Sequence, residues 1–233
     1  MQTSLQIDTP EGPFRAHVAR PASSAPAPVV VVLHEVFGVN ADMRKTCEAL
    51  AAQGYVAICP DLLWRLEPGV ALTDQTQAEL DKAVALYTAF DLDTGVQDAA
   101  RTLEFARSLP GTTGKVGMLG FCLGGLLSFL ANARAGADAT VAYYPGNVDK
   151  YLAEASKIAT PLLMHLAQED EYIPKPAQQQ ILEALKGRPT VQTYSYAGCS
   201  HAFARHSGSH YDAAAAALAN DRSAAFLARH LKG

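Results

Sequence analysis

An α/β fold, with a mostly parallel central sheet of about seven to eight strands and helices on both faces, is predicted by three features of the sequence. Short apolar, β-branched runs alternate with amphipathic stretches along most of the chain. Several strand candidates, VVVVL at 29–33 above all, are apolar throughout, as strands covered on both faces are. The 233 residues, 49% hydrophobic and 18% charged, hold ample material for a deep core. A single domain over residues 1–233 is the expected organisation.

Each element follows from local pattern. FRAHVA (14–19) alternates like a half-buried strand, and PASSAPAP (21–28) is a surface connection between strands. Residues 42–53 are amphipathic and stop at Gly54, a helix end; YVAIC (55–59) returns to strand. TQAELDKAVALYTAF and DTGVQDAARTLEFARSL have helical spacing. GKVGMLG (114–120) is a buried strand, and after the turn GFCLGG (120–125) comes a helix. ATVAYY, PLLMHL and VQTYSY are further strands, with a loop after the first and a helix near 176–186 before the last. The alanine-rich C-terminal segment is a strong helix former.

Composition narrows the function. A formal charge of −4 argues against nucleic acid or an anionic membrane as partner. No apolar run approaches the roughly 18 residues of a membrane helix. MQTSLQIDTPEG lacks a basic n-region followed by an apolar run, so a cytoplasmic location is expected. Cys47, Cys59, Cys122 and Cys199 form no CxxC pair and read as free thiols. His201, His206 and His210 lie close together without HExxH or Cys/His ligand spacing, so no metal is called for.

The turn Gly120-Phe121-Cys122-Leu123-Gly124 is a G-x-C-x-G version of the nucleophile elbow. A chain that reverses within a few residues forces Cys122 into a strained conformation, and glycine at 120 and 124 lets strand and helix approach. The sulfur then sits at a helix N-terminus, where the dipole favours thiolate and the Leu123 N–H points towards an incoming acyl oxygen. The competing reading is a small buried hydrophobe. A nucleophile needs a base and an orienting acid, which in this fold come later, on loops after strand ends. PLLMHL runs into the acidic turn Glu169-Asp170-Glu171, and VQTYSY runs into His201.

With these pieces the sequence resembles the dienelactone hydrolase family of α/β-hydrolases. HEVFGVN (34–40), CPDLLWR (59–65), TAFD (88–91), GKVGMLGFCLGG (114–125), YYPG (143–146), EDEYIP (169–174) and GCSHAFAR (198–205) carry the resemblance over nearly the whole chain. It implies Cys122 as nucleophile, His201 as base and Asp170 as orienting acid, four residues before Pro174. It implies oxyanion donors at the N–H groups of Val36 and Leu123, and Glu35 as the glutamate that helps to generate thiolate when substrate binds. It implies that Arg205 pairs with a substrate carboxylate at the pocket mouth, a task suited to a planar cation. Phe37, Tyr87 and Tyr144 are further candidates for substrate contact.

The sequence departs from that family pattern at three places. Leu80 stands where the family enzyme has a second arginine, Tyr87 replaces a tryptophan, and Ala202 follows the histidine where a hydroxyl is usual. These departures touch the substrate rather than the catalytic machinery.

Sulfur itself narrows the reaction. A thiol of pKa about 8.5 leaves a tetrahedral intermediate far more readily than an alcohol, so ordinary alkyl esters return to starting material. Enol lactones, phenyl esters and thioesters avoid this. The expected function is hydrolysis of carboxylate-bearing enol lactones through a thioester acyl-enzyme, by a monomer acting on a small lactone or ester without cofactor. The alternatives are a broader esterase or thioesterase of activated acyl groups, and a non-catalytic relative that binds a ligand in the old cleft.

Overall fold

A computed structural model describes residues 3–233. Eight strands form one sheet in the order β1-β2-β4-β3-β5-β6-β7-β8. They are β1 (Ser4–Ile7), β2 (Phe14–Ala19), β3 (Ala27–Leu33), β4 (Val56–Pro60), β5 (Thr112–Phe121), β6 (Ala139–Tyr143), β7 (Leu162–Ala167) and β8 (Val191–Tyr196). β1 and β2 form an antiparallel edge, with β2 antiparallel to β4; β4, β3, β5, β6, β7 and β8 run parallel. The helices are α1 (Ala41–Ala52), α2 (Gln77–Ala89), α3 (Leu92–Ser108), α4 (Leu123–Arg134), α5 (Lys175–Leu185) and α6 (Ala213–Leu231). Among the described residues no helix is long and apolar enough to cross a membrane.

Strand β3 shows why a continuous apolar run was needed. Val29, Val31 and Leu33 face a core with Val96 and Leu103 of α3 and Leu126 and Leu130 of α4. Val30 and Val32 face a second core with Met43 and Leu50 of α1 and Phe226 and Leu227 of α6. Successive side chains point to opposite faces, so both faces demand apolar residues.

Three elements differ from the sequence reading. β1 is a four-residue edge strand, with only Leu5 and Ile7 turned inward, too short to register as a pattern. Residues Val148–Lys157, expected as a loop, form a 3₁₀ stretch broken at Tyr151. β3 begins at Ala27, inside the expected connection, where Ala27 pairs with Thr112.

The β5–α4 turn is the tightest junction in the sheet. A methyl group at Gly120 would overlap the Gly124 carbonyl and the Ser128 hydroxyl, and one at Gly124 would overlap the Leu33 and His34 carbonyl oxygens. The carbonyls are backbone obstacles that cannot rotate away. Gly124→Ala is therefore expected to destabilise the fold by about 3 kcal/mol or more, read as a lower urea midpoint. Stability equal to the parent protein would show that the junction has slack.

Candidate active site

The loops leaving β3, β5, β7 and β8 at their C-terminal ends meet at one place, as ligand sites in parallel α/β sheets do. β5 delivers Cys122, which caps α4 with φ 53° and ψ −113°. A non-glycine residue in this region is strained. Its own N–H is held by the Tyr143 carbonyl at 3.1 Å, so the bend is anchored to β6. The thiol makes no capping hydrogen bond and is partly exposed. It stands at the positive end of a 12-residue helix.

β7 and β8 bring Asp170 and His201 together. His201 Nδ1 donates to Asp170, at 3.0 Å from Oδ1 and 2.9 Å from Oδ2. Asp170 Oδ1 also accepts the N–H groups of Tyr172 and Ile173, which fixes the carboxylate before the imidazole meets it. Of the three adjoining acids, Glu169 turns to the surface and Lys175, and Glu171 accepts the backbone N–H of His201. Asp170 is thus the one that meets the ring.

His201 Nε2 is buried and has no hydrogen-bond partner among the described residues. Burial works against a charged ring here. The negative charge of Cys122 and the hydrogen bond to Asp170 outweigh it, and the imidazole pKa is pushed up to about 10. The ring is therefore electrostatically linked to the thiol on one side and hydrogen-bonded to the carboxylate on the other.

Beyond β3, Glu35 is buried with one oxygen on Arg205 Nη1 at 2.9 Å and the other, Oε1, without a partner. Burial pushes its carboxyl pKa up, against the opposing pull of Arg205 and His201. Arg205, expected at the pocket mouth, is held between two carboxylates. Its side chain is only 9% exposed, with Nη1 on Glu35 and Nη2 on Asp74 at 2.8 Å, and the guanidinium carbon lies 4.7 Å from the Phe37 ring centre. Burial also works against charge on Asp74, but the Ser209 N–H and Arg205 outweigh it and hold that carboxyl below its usual value.

The N–H groups of Val36 and Leu123 both lack a protein acceptor among the described residues. The peptide carrying the Val36 N–H is fixed by His34, a residue to which sequence reasoning gave no role. Leu62 N–H donates to His34 Nε2 at 3.0 Å, so the ring proton resides on Nδ1, which donates to the Glu35 carbonyl at 2.6 Å. That carbonyl and the Val36 N–H are two ends of one peptide group. Holding one end aims and polarises the other.

Aromatic rings enclose the site. Tyr144 is fully buried at φ 36°, meets the His201 ring edge-on at 5.0 Å, and has a hydroxyl with no partner. Tyr172, which the sequence reading passed over, also meets this ring edge-on, at 4.8 Å, and is 65% exposed. Phe37 is buried, and half-exposed Tyr87 accepts a hydrogen bond from Asn147 at 2.5 Å. Leu80 lies in the first turn of α2 and is half-buried. The four non-glycine residues with positive φ among the described residues, Cys122, Tyr144, Asn147 and Ala202, are the thiol residue, a site residue or neighbours of site residues. Strain concentrated in this way is typical of functional sites.

Comparison with known proteins gives the chain its relatives. The dienelactone hydrolase family matches residues 14–231. A relative from Azospirillum brasilense is 46% identical over 95% of both chains. The carboxymethylenebutenolidase of Pseudomonas putida is 44% identical over 92% of this chain and 91% of its own. A crystal structure from Klebsiella pneumoniae superposes with a TM-score of 0.83 at 25% identity, covering 97% of this chain and 98% of that one. The sheet and helices are those of the α/β-hydrolase fold, the activity is hydrolysis of ester bonds, and the chain belongs to the dienelactone hydrolase family.

Proposed function

We propose that the chain hydrolyses carboxylate-bearing enol lactones of the dienelactone type through a thioester on Cys122. The observation that carries this reading is a strained, partly exposed thiol at a helix N-terminus, linked in charge to an imidazole that a buried carboxylate orients. The carboxymethylenebutenolidase relatives supply the substrate class.

The reaction proceeds in two halves. The Cys122 thiolate attacks the lactone carbonyl carbon, and the oxyanion that forms is met by the free N–H groups of Val36 and Leu123. The ring C–O bond breaks, and the oxygen leaves as an enolate stabilised by conjugation, a far better leaving group than an alkoxide. The acyl group is then a thioester on sulfur. The His201 imidazolium gives its proton to the departing enolate, which becomes the ketone of a linear dicarboxylic acid. The now neutral Nε2 takes a proton from water as the oxygen attacks the thioester carbon; the C–S bond breaks, and thiolate and imidazolium are both regenerated.

Glu35 fits the part of initial proton acceptor from the thiol. Its Oε1 is uncommitted and its proton affinity is raised by burial. Arg205 fits recognition of the substrate carboxylate through its bond to Asp74 or its unpartnered Nε. Phe37, Tyr87 and Tyr144 fit the walls of the acyl pocket.

A second reading, a broader esterase of activated neutral acyl groups, is favoured by one observation: both terminal nitrogens of Arg205 are already held by carboxylates. The two readings separate in kcat/KM measured side by side for a dienelactone, a neutral enol ester and an acyl thioester. Preference for the lactone by about tenfold or more supports the first, and equal or better turnover of the neutral ester supports the second.

Cys122→Ala is expected to lower turnover of both enol lactones and p-nitrophenyl acetate by about 10³-fold or more with an unchanged circular dichroism spectrum. Parent-level turnover in that variant would remove the thioester route. The same substitution bears on His201. Because negative charge at Cys122 is the leading upward influence on the imidazole, nitrogen NMR of the intact protein is expected to show His201 titrating near pH 10. In Cys122→Ala the titration should move to lower pH. A midpoint that stays in place would mean that Asp170 alone sets it.

A further inference from the structure

Arg205 is the guanidinium most deeply placed in the site, yet it meets two carboxylates before any substrate arrives. Glu35 holds Nη1 from the buried side. Asp74, from the loop ahead of α2, holds Nη2. The Oδ2 atom of Asp74 collects two further donors, the Ser209 N–H at 3.0 Å and the Ser209 hydroxyl at 3.3 Å.

Asp74 is held in place from several directions. Thr73 bonds Glu79 through its N–H and its hydroxyl, at 3.0 and 2.8 Å, which ties the loop to the first turn of α2. Gln75 Nε2 donates to the Ser207 carbonyl at 2.8 Å, so the loop is also laced to the segment that carries Arg205 and Ser209. The three charged side chains are 3%, 6% and 9% exposed. The cluster carries one more negative charge than positive, in a setting where solvent screens little. Leu80, one turn into α2, adds no cation.

We propose that Asp74 is a specificity-determining residue, an internal carboxylate seated on Arg205 where the substrate's carboxylate binds and which the substrate must displace. This rests on the reading of Arg205 as the carboxylate-binding residue. Gln75, Ser207 and Ser209 are exposed whereas Glu35 and Tyr144 are buried, so a ligand arriving from solvent meets the Asp74 side of the guanidinium first. A displaced Asp74 keeps the N–H and hydroxyl of Ser209 as donors, so its charge is not stranded. Asp74 thus sets a threshold: carboxylate ligands compete with it, and neutral acyl groups do not.

The test compares the parent protein with Asp74→Asn in two assays. The first is the ratio of kcat/KM for a dienelactone to that for p-nitrophenyl acetate. The second is inhibition of p-nitrophenyl acetate hydrolysis by propanoate, with propanamide as the neutral control. Asp74→Asn is expected to raise the ratio by about tenfold, mainly through KM, and to lower the propanoate inhibition constant by a similar factor without moving that of propanamide. An unchanged ratio and unchanged propanoate inhibition overturn the proposal.

Thr73→Val, which loses the hydroxyl bond to Glu79, loosens the same loop while leaving Asp74 and its charge in place. It is expected to keep the parent ratio, and a rise matching that of Asp74→Asn would assign the effect to loop motion and overturn the proposal. Should Asp74→Asn not fold by circular dichroism, Asp74→Ser must move both readouts in the same direction. A parent protein that cleaves the phenyl ester but no lactone would sink the proposed substrate, and the propanoate assay would still decide the role of Asp74.

Discussion

The contact on which the rest depends is the one between the backbone of α4 and the end of β3. Gly124 lies so close to the Leu33 and His34 carbonyls that no side chain fits between them. That approach fixes where α4 starts, and with it the left-handed bend at Cys122. It also places the loop after β3 beside the first turn of the helix, so that the free N–H groups of Leu123 and Val36 belong to two neighbouring pieces of backbone. One steric constraint thus places both the Cys122 thiol and the two free N–H groups beside it. Side-chain chemistry is added to a geometry that the backbone has already settled.

Around that geometry the protein collects charge in a dry place. Asp170 and His201 make one pair; Glu35, Arg205 and Asp74 make a chain of three. Buried ion pairs return little net stability, because desolvation offsets attraction, but removing one partner leaves its mate stranded. The arrangement is therefore better understood as readiness for chemistry than as reinforcement of the fold. The stabilising work falls to the two apolar layers flanking β3, which hold the four strand ends steady while the loops carry function.

Much of this was legible in the sequence, and the boundary of what was legible has a physical cause. Strands covered on both faces announce themselves as unbroken apolar runs, and a cysteine between glycines announces a sharp bend, because both are local patterns. His201 and the acidic turn 169–171 stood out because each follows a strand in a fixed chain order, and the resemblance to the family singled out Asp170 within that turn. β1 escaped because an edge strand of four residues has only two inward positions. Asp74 escaped for a different reason: its partner Arg205 is 131 residues away, and a lone aspartate before a helix looks like any solvated loop residue. His34 was in plain view in HEVFG, but its importance comes from Leu62, 28 residues on, whose N–H decides which ring nitrogen keeps the proton. Tyr144 was a candidate for substrate contact from its place after a strand, but that it lies edge-on to the imidazole, 57 residues away in the chain, is visible only in the folded structure.

The His34 imidazole has an implication for acid. One nitrogen accepts the Leu62 N–H, so a second proton would have to share its place with an existing donor, and burial already holds the pKa of this ring below its ordinary value. An unfolded chain has no such restriction and takes up that proton as pH falls below about 6.5. Unfolding then binds a proton that the native state refuses, and the native state loses ground by that amount. Mild acid therefore bears on the hinge that aims the Val36 donor, at a pH where most surface carboxylates have yet to titrate.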